Sequence, residues 1–228
     1  MSSTKKKLTI NALSAIFQVI FTAILYFFLY KFLLNHLGIK LLGIWSLILS
    51  FSSIANLANF GITSGLVKFV ADYLAEKKEE RLGKLICTGF FAMAVLFSLV
   101  SLIVWIAAHY FLRFVIDQQY IETAMEILPY SLAGLCINSA SGVLTSVLEG
   151  YQKNYLRNFI YIFSGMLMFF SMILLTPVFQ LKGVAFAQLI QAVFILISAF
   201  VLTLRINPYN HLKYWKWSKQ SFKELFNY

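Results

Sequence analysis

Six long apolar segments fill this chain of 228 residues, and the basic residues between them lie mainly on alternate connections. The segments cover residues 10–34, 44–71, 85–112, 127–149, 158–177 and 183–204. A helix needs about 20 residues to cross a ~30 Å hydrocarbon core, where backbone groups must pair within the segment. The pattern therefore predicts an all-α, polytopic membrane protein with six transmembrane helices.

The distribution of Lys and Arg predicts which side of the membrane each connection faces. One set lies on the N-terminus, the second and fourth connections and the C-terminal tail: Lys5, Lys6, Lys7, Lys77, Lys78, Arg81, Lys84, Lys153, Arg157, Arg205, Lys213, Lys216, Lys219 and Lys223. The opposite side carries Lys31, Lys40, Arg113 and Lys182. Because basic connections remain in the cytoplasm, we expect both termini to lie there.

The segment after residue 206 differs from the six-helix lobe predicted for residues 1–206. Between residues 207 and 228, four residues recur at helical spacing among lysines: Trp215, Ser218, Phe222 and Leu225. This spacing suits an amphipathic helix at the inner membrane surface. It suits equally well the lead-in to a seventh spanning helix, so both interpretations stay open.

The composition supports a membrane protein and argues against two other classes. Hydrophobic residues make up 60% of the chain and charged residues 12%, against about 25% charged in a soluble domain. The net charge of +10 does not predict nucleic-acid binding, because the basic residues form short clusters beside the membrane.

Cys87 and Cys136 fall within apolar segments, and no nucleophile or metal-ligand set converges. We therefore expect neither an enzyme nor a bound metal or cofactor.

Polar residues follow one face of four predicted helices, where they would be costly against lipid. They are Asn11, Ser14, Gln18 and Thr22; Ser52, Asn56, Asn59 and Thr63; Asn138, Gly142, Thr145 and Glu149; and Gln188, Gln191 and Ser198. The third and fifth segments are more uniformly apolar. The stripes favour a bundle around a hydrated cavity, and the alternative is hydrogen bonding that holds helices together.

Charged residues near the segment ends form a second set of candidates. Gly61 and Gly65 allow close helix approach, and Lys68 and Asp72 continue the same face. Together they form a candidate gate or ion pair, with the alternative that Lys68 reaches the inner interface and pairs with Asp72. Glu149 is expected near the cytoplasm, paired with Lys153 or Arg157.

Two stretches of sequence resemble a known family of membrane proteins. These are GIKLLGIWSLILSFSSIANLANFGITSGLVKFVADYLAEKK (38–78) and LEGYQKNYLRN (148–158). They are similar to the bacterial polysaccharide-biosynthesis flippases of O-antigen and capsule, in the multidrug/oligosaccharidyl-lipid/polysaccharide exporter superfamily. Many relatives carry an acidic residue where this chain has Asn59, so a cation-coupling role does not carry over to that position.

The resemblance implies one lobe of a MATE-like exporter fold that flips undecaprenyl-diphosphate-linked oligosaccharide across the bacterial cytoplasmic membrane. The expected partners are this substrate, membrane lipids, and a second lobe from a longer product or a second copy of the chain. The candidate substrate-binding residues are Gln18, Asn56, Asn59, Lys68, Asn138 and Gln188, with Lys31 as a second cation. The alternatives are a cation-coupled multidrug exporter and a non-transporting scaffold for glycan assembly.

Overall fold

The computed structural model describes the backbone of residues 2–57, 59–206 and 211–226, and the side chains of residues 8–50, 63–206 and 213–225. This part of the chain is 94% helix and contains no strand, which confirms the all-α prediction. The helices are α1 (Ser2–Leu57), α2 (Asn59–Ala75), α3 (Glu79–Val115), α4 (Gln118–Gly150), α5 (Asn154–Phe179), α6 (Leu181–Ile206) and α7 (Lys219–Phe226), with a 3-10 turn, η1 (His211–Tyr214), before α7.

The first helical stretch is bent sharply at Gly38. This residue has φ 75° and ψ 171°, a conformation that glycine adopts without the steric cost of a Cβ. The rings of Tyr30 and Trp45 meet across the bend at a centroid distance of 5.5 Å. Residues 30 and 45 would lie about 22 Å apart along a straight helix. The chain therefore turns back at Gly38, and α1 supplies two consecutive helices.

Five helical stretches among the described residues are long and apolar enough to cross a membrane: Leu8–Ser50, Glu79–Val115, Gln118–Gly150, Asn154–Phe179 and Leu181–Ile206. The stretch Leu8–Ser50 contains the first predicted span and the start of the second, because of the turn at Gly38. The rest of the second predicted span continues into α2. The fourth helix begins at Gln118, well before the predicted boundary at residue 127, so Pro129 lies inside it.

Helix α4 is the centre of the bundle and packs against α1, α2, α3, α5 and α6. Small residues on α4 and α6 allow this close packing. A Cβ on Gly150 would lie 2.4 Å from Val70 Cγ1, where α2 crosses the end of α4. A Cβ on Gly183 would lie 2.4 Å from the carbonyl oxygen of Leu175, at the tight turn between α5 and α6.

The connections meet at the two ends of the bundle in the grouping that the charge pattern predicted. At the basic end, Asn11 Nδ2 donates to the carbonyl oxygen of Gln152 at 3.0 Å, and the Tyr73 hydroxyl donates to Glu224 Oε2 at 2.6 Å. At the other end, Lys182 forms an ion pair with Glu126. We refer to these as the inner and outer ends.

Large apolar side chains that are almost fully buried pack together in the outer half of the bundle. We call this group the outer layer: Leu29, Leu33, Trp45, Ile48, Leu112, Ile127, Leu128 and Val184. They come from α1, α3, α4 and α6, so four elements converge on one apolar cluster.

Candidate functional site

A cavity of about 480 Å³ lies between α1, α2, α4, α5 and α6. Its size falls within the ~300–1,000 Å³ typical of ligand pockets. It is lined by Gln18, Phe21, Thr22, Leu25, Tyr26, Thr63, Asn138, Gly142, Thr145, Ser146, Glu149, Arg157, Tyr161, Gly165, Gln191 and Ile195. Asn138 is exposed although it lines the cavity, so the cavity is open on one side.

The structure brings some of the predicted amide side chains together and leaves others apart. Gln18 and Asn138 line the cavity from α1 and α4. On α6, Gln191 lines it, whereas Gln188 is half-buried and does not. Asn56 and Asn59 lie outside the residues whose side chains the structure describes. Their roles in substrate binding stay predictions.

The candidate gate on α2 does not line the cavity. Lys68 and Asp72 are exposed, and Gly65 is buried. Gly61 falls outside the described residues. Lys31, the second predicted cation, is also exposed and absent from the lining. The gate and cation roles assigned to these residues stay predictions.

The described lining contains one ion pair, between Glu149 and Arg157. Arg157 Nη1 lies 2.7 Å from Glu149 Oε1, and both side chains are partly shielded, with 39% and 26% of their surface exposed. The guanidinium carbon of Arg157 lies 5.4 Å from the centroid of the Tyr161 ring, within the range of a cation–π contact. Arg157 Nε is buried and has no hydrogen-bond partner. The pair therefore leaves donor capacity unused inside the cavity.

The short inner turn between α4 and α5 explains how this pair forms. Helix α4 ends at Gly150 and α5 begins at Asn154. Gln152 has φ 57°, a left-handed conformation that reverses the chain within three residues. Glu149 and Arg157 thus lie on adjacent turns of two antiparallel helices. Of the two partners that the sequence offered for Glu149, the structure selects Arg157.

The polar stripe on α1 serves two purposes along its length. Near the inner end, Asn11 Oδ1 accepts from the backbone N–H of Tyr155 at 3.1 Å, and Ser14 Oγ accepts from Asn158 Nδ2 at 2.9 Å. These two residues attach α1 to α5. Deeper in the bundle, Gln18 and Thr22 line the cavity instead. The α1 stripe thus contributes both to helix packing and to the cavity lining, and the hydration of the cavity stays a prediction.

Helix α5 contributes to the cavity although its sequence is largely apolar. Arg157, Tyr161 and Gly165 recur at intervals of four residues, which places them on one helical face. The sequence assigns Arg157 to the cytoplasmic connection and does not predict that its side chain lines the site. The spacing of a cation, a tyrosine and a glycine along α5 was the signal that could have identified this face.

A hydrated cavity predicts that a thiol at position 138 reacts with water-soluble reagents. We expect Asn138→Cys to be labelled by a membrane-impermeant maleimide, in a chain whose Cys87 and Cys136 are replaced by alanine. The neighbouring variant Ser139→Cys is the matched control, because Ser139 is fully buried. Equal protection of both thiols would show a dry stripe and favour the scaffold alternative. Labelling is measured by the gel shift of intact membranes.

The described residues contain no cluster of three or more His, Cys, Asp or Glu side chains that could hold a metal ion. Cys87 is buried, and Cys136 contacts the hydroxyl of Ser101 at 3.2 Å. This contact lies between α3 and α4, where a small polar side chain serves packing.

Comparison with known proteins places the chain in a family. The family model for MatE matches residues 14–168, which is more than half of the chain and includes the α1, α4 and α5 residues of the cavity. Neither a curated protein nor a solved structure matched the chain. Members of the matched family are transporters rather than enzymes. The chain therefore belongs to the MatE family of multi-pass membrane transporters.

Proposed function

We propose that the chain flips an undecaprenyl-diphosphate-linked oligosaccharide from the inner to the outer leaflet of the bacterial cytoplasmic membrane. The observation that supports this proposal most directly is the composition of the cavity. It combines one guanidinium group, that of Arg157, with amide and hydroxyl side chains from several helices. A diphosphate and a sugar need these two kinds of partner.

Arg157 is the residue best placed to contact the diphosphate. A guanidinium group presents paired N–H donors that match phosphate oxygens, and Arg157 Nε is still unpaired. In the structure, the carboxylate of Glu149 forms an ion pair with Arg157 Nη1. A phosphate can therefore bind the edge of the guanidinium group formed by Nε and Nη2 while Glu149 remains at Nη1. The ion pair would hold the cation in position until the substrate arrives.

The remaining polar groups suit a sugar. Gln18, Asn138 and Gln191 supply amides that both donate and accept hydrogen bonds, and Thr145 supplies a hydroxyl. The polyprenyl tail can remain in the bilayer, so only the headgroup needs a polar path. The open side of the cavity would be closed by a second lobe of a longer product or by a second copy of the chain. Because both termini are expected in the cytoplasm, two copies could assemble in parallel about a two-fold axis.

A cation-coupled multidrug exporter is the second candidate, and Glu149 is the observation that favours it. A carboxylate that lines a membrane cavity can exchange a proton for a cationic compound. Its ion pair with Arg157 neutralises that charge, however, and so weakens its attraction for cations. The charge of the transported molecule separates the two candidates.

The function is tested in vesicles that contain the full chain and a fluorescent undecaprenyl-diphosphate-linked oligosaccharide. We expect the chain to expose the inner-leaflet fluorophore to an external quencher at a rate above that of empty vesicles. A parallel assay with a lipophilic cationic dye should show no transport. The reverse result would replace the flippase with the multidrug exporter. Activity in neither assay would contradict transport by this chain alone.

A further inference from the structure

A second polar pocket lies at the inner end, outside the cavity. It has a volume of about 170 Å³ and is formed by the end of α2, the start of α3 and the tail that contains α7. Its lining residues are Tyr73, Glu80, Arg81, Lys84, Ser218, Gln220, Ser221 and Glu224. Neither the proposed transport step nor the polar stripes account for this pocket.

The two carboxylates of the pocket are already engaged by neighbouring side chains. Glu224 accepts from the Tyr73 hydroxyl at 2.6 Å and from Gln220 Nε2 at 3.0 Å. Burial, followed by the bond to Glu224, raises the pKa of Tyr73 to about 12, so its hydroxyl remains a donor at neutral pH. Glu80 Oε1 lies 2.5 Å from Lys84 Nζ.

Arg81 is the cation of the pocket that these contacts leave available. It is exposed and forms no ion pair with any described residue. The hydroxyl groups of Ser218 and Ser221 line the same pocket. A guanidinium group with nearby hydroxyl donors is suited to a phosphate.

The tail that closes the pocket carries a strongly basic and aromatic outer surface. Its exposed lysines are Lys213, Lys216, Lys219 and Lys223. Trp217 and Phe222 are 54% and 37% exposed, and their rings lie 5.6 Å apart. Exposed aromatic rings beside lysines are typical of segments that contact the boundary between lipid headgroups and acyl chains.

The contacts of the tail place this surface at the level of the inner membrane boundary. The backbone N–H of Ser218 donates to Thr88 Oγ1 at 3.0 Å, and Trp215 packs against Phe90 at a centroid distance of 6.3 Å. A Cβ on Gly89 would lie 3.4 Å from Leu225 Cδ1. These α3 residues follow Lys84 directly, where the apolar part of α3 begins. With the orientation expected from the basic residues, the pocket would lie at the depth of the inner-leaflet headgroups.

We propose that the start of α3 and the tail form a binding site for an anionic phospholipid of the inner leaflet. The lipid phosphate binds at Arg81, with the Ser218 and Ser221 hydroxyls beside it. The lysines of the tail attract the anionic headgroup, and Trp217 and Phe222 contact the adjoining acyl region. Because Glu224 and Tyr73 join the tail to α2, the bound lipid would also stabilise the contact between α2, α3 and the tail.

The test is the thermal unfolding of the purified full chain in detergent micelles that contain added lipid. We expect phosphatidylglycerol to raise the midpoint temperature and phosphatidylcholine to leave it unchanged. One lost basic contact weakens attraction to an anionic membrane about fivefold, so Arg81→Gln should require about fivefold more phosphatidylglycerol for the same shift. Arg113→Gln, which removes an exposed arginine at the outer end, is the matched control and should behave as the unchanged chain.

Three outcomes would overturn the proposal. An equal shift with phosphatidylcholine would show that headgroup charge is not recognised. An equal loss of the phosphatidylglycerol-induced temperature shift in Arg81→Gln and Arg113→Gln would show a general effect of net charge and not a specific site. A shift produced by glycerol phosphate alone, at the same concentration, would assign the pocket to a soluble anion. Native mass spectrometry of the same samples counts the lipids retained by each variant and does not depend on transport.

Discussion

Arg157→Ala is expected to slow the proposed flipping of the lipid-linked oligosaccharide strongly while the chain still inserts and folds. The change removes the guanidinium group of the cavity and leaves Glu149 without its partner at 2.7 Å. Removing one partner of a buried charge pair between protein and ligand costs about 2–5 kcal/mol in binding, and the 39% exposure of Arg157 favours the lower end for its contact with a diphosphate. We therefore expect at least a roughly 30-fold lower initial rate, since 1.4 kcal/mol corresponds to tenfold.

Variants of the same ion pair separate a substrate contact from a structural one. Arg157→Lys keeps the charge but loses the paired N–H donors, so it should recover only part of the rate. The double variant Arg157→Ala with Glu149→Gln removes the unpaired carboxylate and should restore stability without restoring transport. Lys153→Ala is the control, because Lys153 belongs to the same inner turn and does not line the cavity. A normal rate in Arg157→Ala would remove this residue from the mechanism.

Among glycine-to-alanine substitutions at the described glycines, Gly183→Ala is expected to be the most destabilising. Its Cβ would lie 2.4 Å from the oxygen and 2.5 Å from the carbon of the Leu175 carbonyl, and 2.8 Å from the nitrogen of Thr176. These are backbone atoms of α5, so no side-chain rotation relieves the overlap. Overpacking commonly costs about 1–3 kcal/mol, and a clash with backbone favours the upper end. A cost of about 3 kcal/mol corresponds to a midpoint temperature lower by about 6–12 °C in a chain of this size.

Gly134→Ala is the matched control for this experiment. Gly134 is also a buried helical glycine, but its Cβ would meet only Leu189 Cδ2 at an ordinary distance of 3.8 Å. Alanine favours helix by about 1 kcal/mol over glycine, so this variant should be neutral or slightly more stable. Fluorescence-detected size-exclusion chromatography after heating gives both midpoints. Equal midpoints for the two variants would contradict the close approach of α5 and α6.

The sequence predicted the helices and their grouping well, because hydropathy and charge are local properties. A segment that is apolar for 20 residues must be helical in a bilayer whatever its neighbours are. The bend at Gly38 fell within the connection left between the first two predicted segments. The start of α4 was missed because residues 118–126 are polar and continue the helix beyond the apolar run.

The site was predicted only in part, because helical spacing defines a face but not the neighbour that the face meets. Gln18 and Asn138 were identified, whereas the rotation of α6 selects Gln191 over Gln188. The sequence identified Arg157 only as a basic residue of a connection. Its place in the cavity lining depends on how α5 packs against α4. The packing of the whole bundle decides which helix face lines the cavity. A single sequence without its structure does not reveal that packing.

The outer layer has a consequence for how the membrane voltage acts on this protein. Its side chains are almost fully buried and apolar, whereas the cavity that contains Arg157 is lined largely by polar groups. We therefore expect the electrical potential to fall more steeply across the outer layer than across the cavity, since a dry apolar region resists the field more than a polar cavity does. Each elementary charge that crosses it exchanges about 2.3 kcal/mol per 100 mV. With the cell interior negative, the proposed movement of an anionic headgroup from Arg157 to the outer face would be favoured by this electrical potential.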